Sequence, residues 1–170
     1  MSKTITAVTM KGNPVTLLGK EIEVGQTAPD AMLVANDLST FNLSSLKGKK
    51  IILSVVPSLD TGICDLQTKR FNKEAASLGQ DAVILTVSMD LPFAQKRWCG
   101  ATSVDKVKTL SDHRDASLGE NYGVLIKGLR LLTRAIFIID QNFKITYKQI
   151  VPEITTEPNY DDALKALKKV

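Results

Sequence analysis

Two cysteines carry most of the reactive chemistry open to this chain, and their settings differ. Cys64 ends the segment Pro57-Ser58-Leu59-Asp60-Thr61-Gly62-Ile63-Cys64, which follows the apolar run Ile51-Ile52-Leu53-Ser54-Val55-Val56 and leads into a helical pattern. The spacing predicts Cys64 in the first turn of a helix, with Asp60 or Thr61 as N-cap. It also predicts a position at the carboxyl end of a buried strand, where open α/β sheets build their sites. Amides of a first helical turn have no intrahelical acceptor, and together with the helix dipole they stabilise an anion. A free cysteine titrates near pH 8.5, and helix N-termini or cationic neighbours lower that to between about 3.5 and 7.5. A thiol titrating near 8.5 is about 3% ionised at pH 7, and one titrating near 6 is about 90% ionised. This position therefore predicts a nucleophilic thiolate. Thr61, one helical turn earlier, has a hydroxyl that can reach the Cys64 amide, the sulfur or a molecule bound to it. A carboxylate beside the sulfur would oppose ionisation, so that of Asp60 is expected to face away, as a cap or turn residue.

Cys99 lies in Arg97-Trp98-Cys99-Gly100, near the end of a short helix. A buried small hydrophobe is the ordinary role of a free cysteine, and it suits Cys99 better than Cys64 because Trp98 is an apolar neighbour. Arg134 opens the apolar run Ala135-Ile136-Phe137-Ile138-Ile139. A guanidinium entering a buried strand needs a partner, and an anionic sulfur would be one. A surface loop shared with Arg130 is the other reading, and position alone weights the two equally. Two cysteines and one histidine cannot supply the four protein ligands of a structural zinc site. The absence of C-x-x-C argues against an ordinary dithiol reductase. His113, in Ser111-Asp112-His113-Arg114-Asp115, reads as a solvated loop residue rather than a cysteine-protease base.

The elements that must hold these residues follow from periodicity. Thr6 to Met10 and Val15 to Leu18 flank Lys11-Gly12-Asn13-Pro14 and predict an N-terminal hairpin. Short strands are expected at Met32–Ala35 and Phe41–Leu43. Ile51–Val56, Ala82–Val87 and Ala135–Ile139 are apolar, β-branched runs of the kind buried on both faces. Helices are expected from Gly62 to Leu78, closed by Gly79, from Pro92 past Trp98, over Asp115–Tyr122, and through Tyr160, Ala163, Leu164 and Leu167. Asp140-Gln141-Asn142 turns the third buried strand into Lys144–Ile150. The result is a single α/β domain over residues 1–170, with a mixed sheet flanked by helices and compatible with a thioredoxin-like core. A chain of 170 residues buries roughly 70% of its unfolded surface and needs no metal or disulfide for stability. Its net charge of +4, from 22 basic and 18 acidic residues, is dispersed, and aromatics make up 5% of the chain. A nucleic-acid interface, which wants a basic stripe with interleaved aromatics, is therefore not expected. No run is apolar and long enough to cross a bilayer, and Met1–Thr6 has no leader pattern, so cytoplasmic residence is expected.

Pro57, Thr61 and Cys64 have the spacing P-x-x-x-T-x-x-C, which resembles the signature of the peroxiredoxin family. Together with Asp90-Leu91-Pro92-Phe93-Ala94-Gln95, Trp98-Cys99-Gly100 and Glu153-Ile154-Thr155-Thr156-Glu157-Pro158, it resembles the bacterial thiol peroxidase subfamily, that of the atypical two-cysteine enzymes, over nearly the whole chain. The resemblance implies that Cys64 is the peroxidatic cysteine and Cys99 the resolving one, and that Pro57, Thr61 and Arg134 form the pocket that activates Cys64. It thereby favours the site over the surface for Arg134. It further implies a homodimer that reduces hydrogen peroxide and organic hydroperoxides through a Cys64 sulfenic acid and a Cys64–Cys99 disulfide, recycled by thioredoxin, with no metal or organic cofactor. Two other classes use the same residues: a redox-sensing module that does not turn over, and a thioredoxin-like interaction domain whose Cys64 is inert.

Overall fold

A computed structural model describes residues 7–170. Thr6, where the hairpin was expected to begin, and the Met1–Thr6 segment read for a leader lie outside the described residues. The chain then runs through β1 (Val8–Met10), β2 (Asn13–Val15), β3 (Leu17–Leu18), β4 (Met32–Val34), β5 (Thr40–Asn42), β6 (Lys50–Val55), α1 (Gly62–Ala75), β7 (Ala82–Ser88), α2 (Pro92–Thr102), β8 (Lys108–Ser111), α3 (Ser117–Asn121), β9 (Leu125–Ile126), β10 (Ala135–Ile139), β11 (Ile145–Ile150) and α4 (Tyr160–Lys168). Among the described residues, seven strands form one sheet in the order β11-β10-β6-β7-β8-β4-β5. β6, β7 and β8 are parallel, while β10, β11, β4 and β5 run antiparallel to their neighbours. The sheet is the mixed one expected, and β1 and β2 make an N-terminal hairpin, but its second arm is Asn13–Val15 rather than Val15–Leu18, and Leu17–Leu18 pair instead with Leu125–Ile126 of β9.

The central strand shows why an uninterrupted apolar run is needed there. Successive side chains of a strand point to opposite faces. Ile51, Leu53 and Val55 enter a core shared with Leu85, Leu110, Leu118 and Phe137. Ile52 and Val56 enter a second core with Phe71, Trp98, Ile136, Ala163 and Leu167. Helices α1, α2 and α4 therefore cover one face and α3 the other. Each aliphatic side chain fully buried in these layers contributes roughly 1.5–3 kcal/mol. Pro57 follows the last pairing of the strand, Val56 N–H to the Val87 carbonyl at 3.0 Å. Having no N–H, it cannot extend the ladder, so the chain leaves the sheet and turns into α1.

Several boundaries differ from expectation. β8 was not anticipated, because Lys108-Thr109-Leu110-Ser111 buries two polar side chains and has little apolar signal. The helix expected over Asp115–Tyr122 is one short turn, entered through Ala116 at φ +50°. α1 stops at Ala75, four residues before Gly79, which takes φ +77° in the following turn. His113 is half-buried rather than solvated, with Nδ1 2.9 Å from the Ser111 hydroxyl.

α3 is held by a buried acid. Asp112, 1% exposed, accepts the Leu118 and Gly119 amides at 3.0 and 2.8 Å. Burial pushes its carboxyl up to about 6 from 3.8, with Asp115 adding to the rise and the backbone amides opposing it. An acid whose folded value is raised favours the protonated folded state. Its contribution is therefore present below about pH 4 and is lost as pH climbs through about 6, by on the order of 3 kcal/mol. Asp112→Asn should remove this dependence. The difference between the urea midpoints of the two proteins should change between pH 4 and 6 and stay constant above 7. Parallel profiles over that interval would contradict it.

Candidate active site

Cys64 occupies the third position of α1, behind the N-cap Thr61, whose extended backbone (φ −98°, ψ 147°) is that of a cap. The first intrahelical bond runs from Asp65 N–H to the Thr61 carbonyl at 3.0 Å. The amides of Gly62, Ile63 and Cys64 therefore lie ahead of the helical ladder. The Thr61 hydroxyl makes no hydrogen bond to Cys64: it donates to the Ser58 carbonyl at 3.1 Å. Asp60 is exposed, its amide donates to the Ser58 hydroxyl at 3.2 Å, and its carboxylate makes no hydrogen bond among the described residues, so it caps nothing.

The Cys64 side chain is wholly buried, and Arg134, 2% exposed, lies beside it. Arg134 Nη2 is 3.4 Å from Cys64 Sγ, Nη1 donates to Gln67 Oε1 at 2.9 Å, and Nε donates to the Ile154 carbonyl at 2.8 Å. Gln67 is in turn fixed by its Nε2 donating to Ser54 Oγ at 2.7 Å. Among the described residues no carboxylate makes an ion pair with Arg134. A buried cation without an anion is costly, and of the three groups to which Arg134 donates, the Cys64 thiol is the one that can become an anion. The position of Arg134 follows from register. β10 pairs with β6 antiparallel, Ala135 opposite Val55, so the start of β10 meets the end of β6 where Pro57 and Cys64 are.

Pro57, Thr61 and Arg134 line one cavity of about 700 Å³, walled mainly by Met10, Ile63, Leu66, Leu131 and Ile154. Glu153 does not line the cavity itself but joins two segments that do, through Lys11 and Thr155. Its carboxylate accepts the Gly12 and Lys11 amides, the Thr9 hydroxyl and both donors of Thr155, tying the β1–β2 turn to the segment after β11. Those bonds, Thr155 first, hold its carboxyl down to about 2.

Cys99 stands apart from this group. It is partly exposed near the end of α2, with Sγ 3.5 Å from the Thr109 hydroxyl of β8, and both cysteines are free thiols. β8 lies two strands from β6, which at ~4.8 Å per strand separates their axes by roughly 10 Å. Trp98 links the two helices: its Nε1 donates to Asp65 Oδ1 at 3.1 Å, next to Cys64 in sequence.

The chain matches the Redoxin family model over residues 23–164. It is 55% identical over 161 residues to the thiol peroxidase of Bacillus subtilis, covering 95% of this chain and 96% of that one. It is 56% identical over 162 residues to the thiol peroxidase of Oceanobacillus iheyensis, covering 95% and 98%. The chain belongs to the peroxiredoxin family. Among solved structures, a peroxiredoxin-like protein from Aquifex aeolicus superposes with a TM-score of 0.91 at 43% identity, over 99% of both chains. The expected fold class is thus that of the family, and the activity of this peroxiredoxin is that of a thiol peroxidase.

Around this candidate site, Gln67 and Glu153 are contributions that local sequence does not announce. Gln67 lies three residues after Cys64, the helical spacing that puts two side chains on one face, and that is the signal that would have found it. Glu153 falls inside the segment whose pattern resembled the thiol peroxidases, but its bonds to Gly12 and Thr9 span most of the chain and leave no local mark. No helix among the described residues is long and apolar enough to cross a membrane.

Proposed function

We propose that this peroxiredoxin reduces hydrogen peroxide and organic hydroperoxides, with Cys64 as peroxidatic and Cys99 as resolving cysteine and thioredoxin as the electron donor. The observation that carries this is the contact between the uncompensated Arg134 guanidinium and the buried Cys64 sulfur. In the first step the Cys64 thiolate attacks the outer peroxide oxygen, forming an S–O bond as the O–O bond breaks. The leaving oxygen takes a proton and departs as water or an alcohol, and Cys64 is left as a sulfenic acid. Arg134 stabilises both the thiolate and the charge that develops on the leaving oxygen. Pro57 shields the sulfur, and the Thr61 hydroxyl, whose proton is held by Ser58, can accept a hydrogen bond from the peroxide.

In the second step Cys99 attacks the sulfenic sulfur, forming the disulfide and releasing water. A dithiol donor then returns both cysteines to thiols and becomes a disulfide itself. Because such a donor must be kept reduced, the cytoplasm is the proposed compartment, and a homodimer is the proposed assembly. Closing the disulfide requires Cα atoms within about 7 Å; with Cys64 Sγ held against Arg134 and Cys99 Sγ against Thr109 of β8, local unfolding of one segment or both is the proposed route.

The test is peroxide consumption with a thioredoxin system. Catalytic consumption is expected; stoichiometric consumption would identify a sensor, and an inert Cys64 an interaction domain. Cys99→Ser is expected to gain oxygen at Cys64 once, recycle poorly with thioredoxin and pass on to sulfinic acid at high peroxide. Mass spectrometry reads all three. A variant that never gains oxygen at Cys64 would overturn the division of roles.

A further inference from the structure

Asp90 lies between the two cysteine-bearing segments. It follows β7 and directly precedes Leu91, the N-cap of α2, the helix that carries Cys99. Its side chain turns the other way, onto the loop that carries Cys64. Oδ1 accepts the Ser58 hydroxyl at 2.7 Å and Oδ2 accepts the Leu59 amide at 2.8 Å. Oδ2 also accepts the Ser88 hydroxyl at 2.7 Å, and the Asp90 carbonyl accepts the Ser111 hydroxyl of β8. Three donors from two segments converge on a half-buried carboxylate that makes no ion pair among the described residues. Leu59 is itself buried, 2% exposed, so this anchor fixes the loop from Pro57 to Thr61 against the end of β7.

From this geometry we infer that Asp90 is a positioning residue that locks the Cys64 loop, and that the lock must open before the two sulfurs can meet. The inference rests on the proposed roles of Cys64 and Cys99. Peroxide attack draws on the locked state, in which Cys64 sits against Arg134. Disulfide closure draws on the open state, in which the bonds from Ser58 and Leu59 are broken. Each rate scales with the population of the state it uses. Weakening the lock therefore slows the first step and speeds the second, whereas general damage to the fold slows both.

The experiment uses the full chain and hydrogen peroxide, with stopped-flow fluorescence of Trp98, the single tryptophan, to follow the two phases. Mass spectrometry measures the sulfinic form of Cys64. Asp90→Ala is expected to slow attack, to accelerate closure by at least about tenfold, the lower bound set by loss of even one hydrogen bond to a charged acceptor, and to need more peroxide for over-oxidation. Asp90→Asn should behave close to wild type, because its amide can donate to Ser58 while its oxygen accepts from Leu59 and Ser88. Ser58→Ala removes one bond of the lock and should shift both phases in the same directions by less, which keeps the test available if Asp90→Ala does not fold. Two phases that slow together, or a closure rate unchanged in Asp90→Ala and Ser58→Ala, would overturn the lock. Failure of the wild-type protein to form a Cys64–Cys99 disulfide by non-reducing peptide mapping would instead overturn the proposed roles of the cysteines.

Discussion

Cys64→Ser is expected to retain the fold and to lose peroxide turnover to below detection, a reduction on the order of 10⁴-fold or more, as when an enzyme's nucleophile is removed. A serine hydroxyl is almost wholly un-ionised at neutral pH, so the nucleophile is lost even though the geometry is kept. The fold should survive for a specific reason. Cys64 is completely buried in the core formed with Ile52, Val56 and Phe71, where an unpaired hydroxyl would be costly. Arg134 Nη2, already 3.4 Å from the sulfur, supplies the donor that a serine oxygen needs. The check pairs a peroxide-consumption assay with a thermal melt. Retained turnover in a folded Cys64→Ser protein would remove Cys64 from the chemistry.

The second large effect is expected at Arg134. Arg134→Met should lower the rate of peroxide attack by about 10²–10³-fold, the range for loss of one donor to a developing oxyanion. It should also lower stability, because Gln67 Oε1 and the Ile154 carbonyl would lose their donor in a buried place. Arg134→Lys separates charge from geometry. Lysine keeps the cation but is a point charge without the rigid fork that serves three acceptors at once, so it should recover only part of the rate. Stopped-flow measurement of the first turnover reads both variants. An unchanged attack rate in a folded Arg134→Met protein would mean that the guanidinium is structural alone.

Much of this protein is legible from local pattern. The buried strands β6, β7 and β10 announce themselves because a strand covered on both faces tolerates almost no polar residue, and their sequences are nearly continuous apolar runs. Cys64 is legible for a related reason: a cysteine placed directly after such a run, within a first helical turn, has its electrostatic setting written by backbone geometry. The same locality explains what was hidden. β8 takes its place because β7 and β4 offer it edges to pair with, not because Lys108-Thr109-Leu110-Ser111 favours extension.

The position of Arg134 was undetermined by its neighbours in sequence. The antiparallel register of β10 on β6 brings it to the sulfur, and that register comes from pairing across eighty residues or more. Asp90 and Glu153 belong to the same class. Each acts by accepting hydrogen bonds from donors distant in sequence, Ser58 and Leu59 for one and Thr9, Lys11 and Gly12 for the other. Acidic residues are common on any surface, and only the folded chain distinguishes a carboxylate that meets water from one on which several segments converge. Residue type and helical position state the chemistry of Cys64, while long-range pairing supplies the cation, the cavity wall and the anchor that allow it to act.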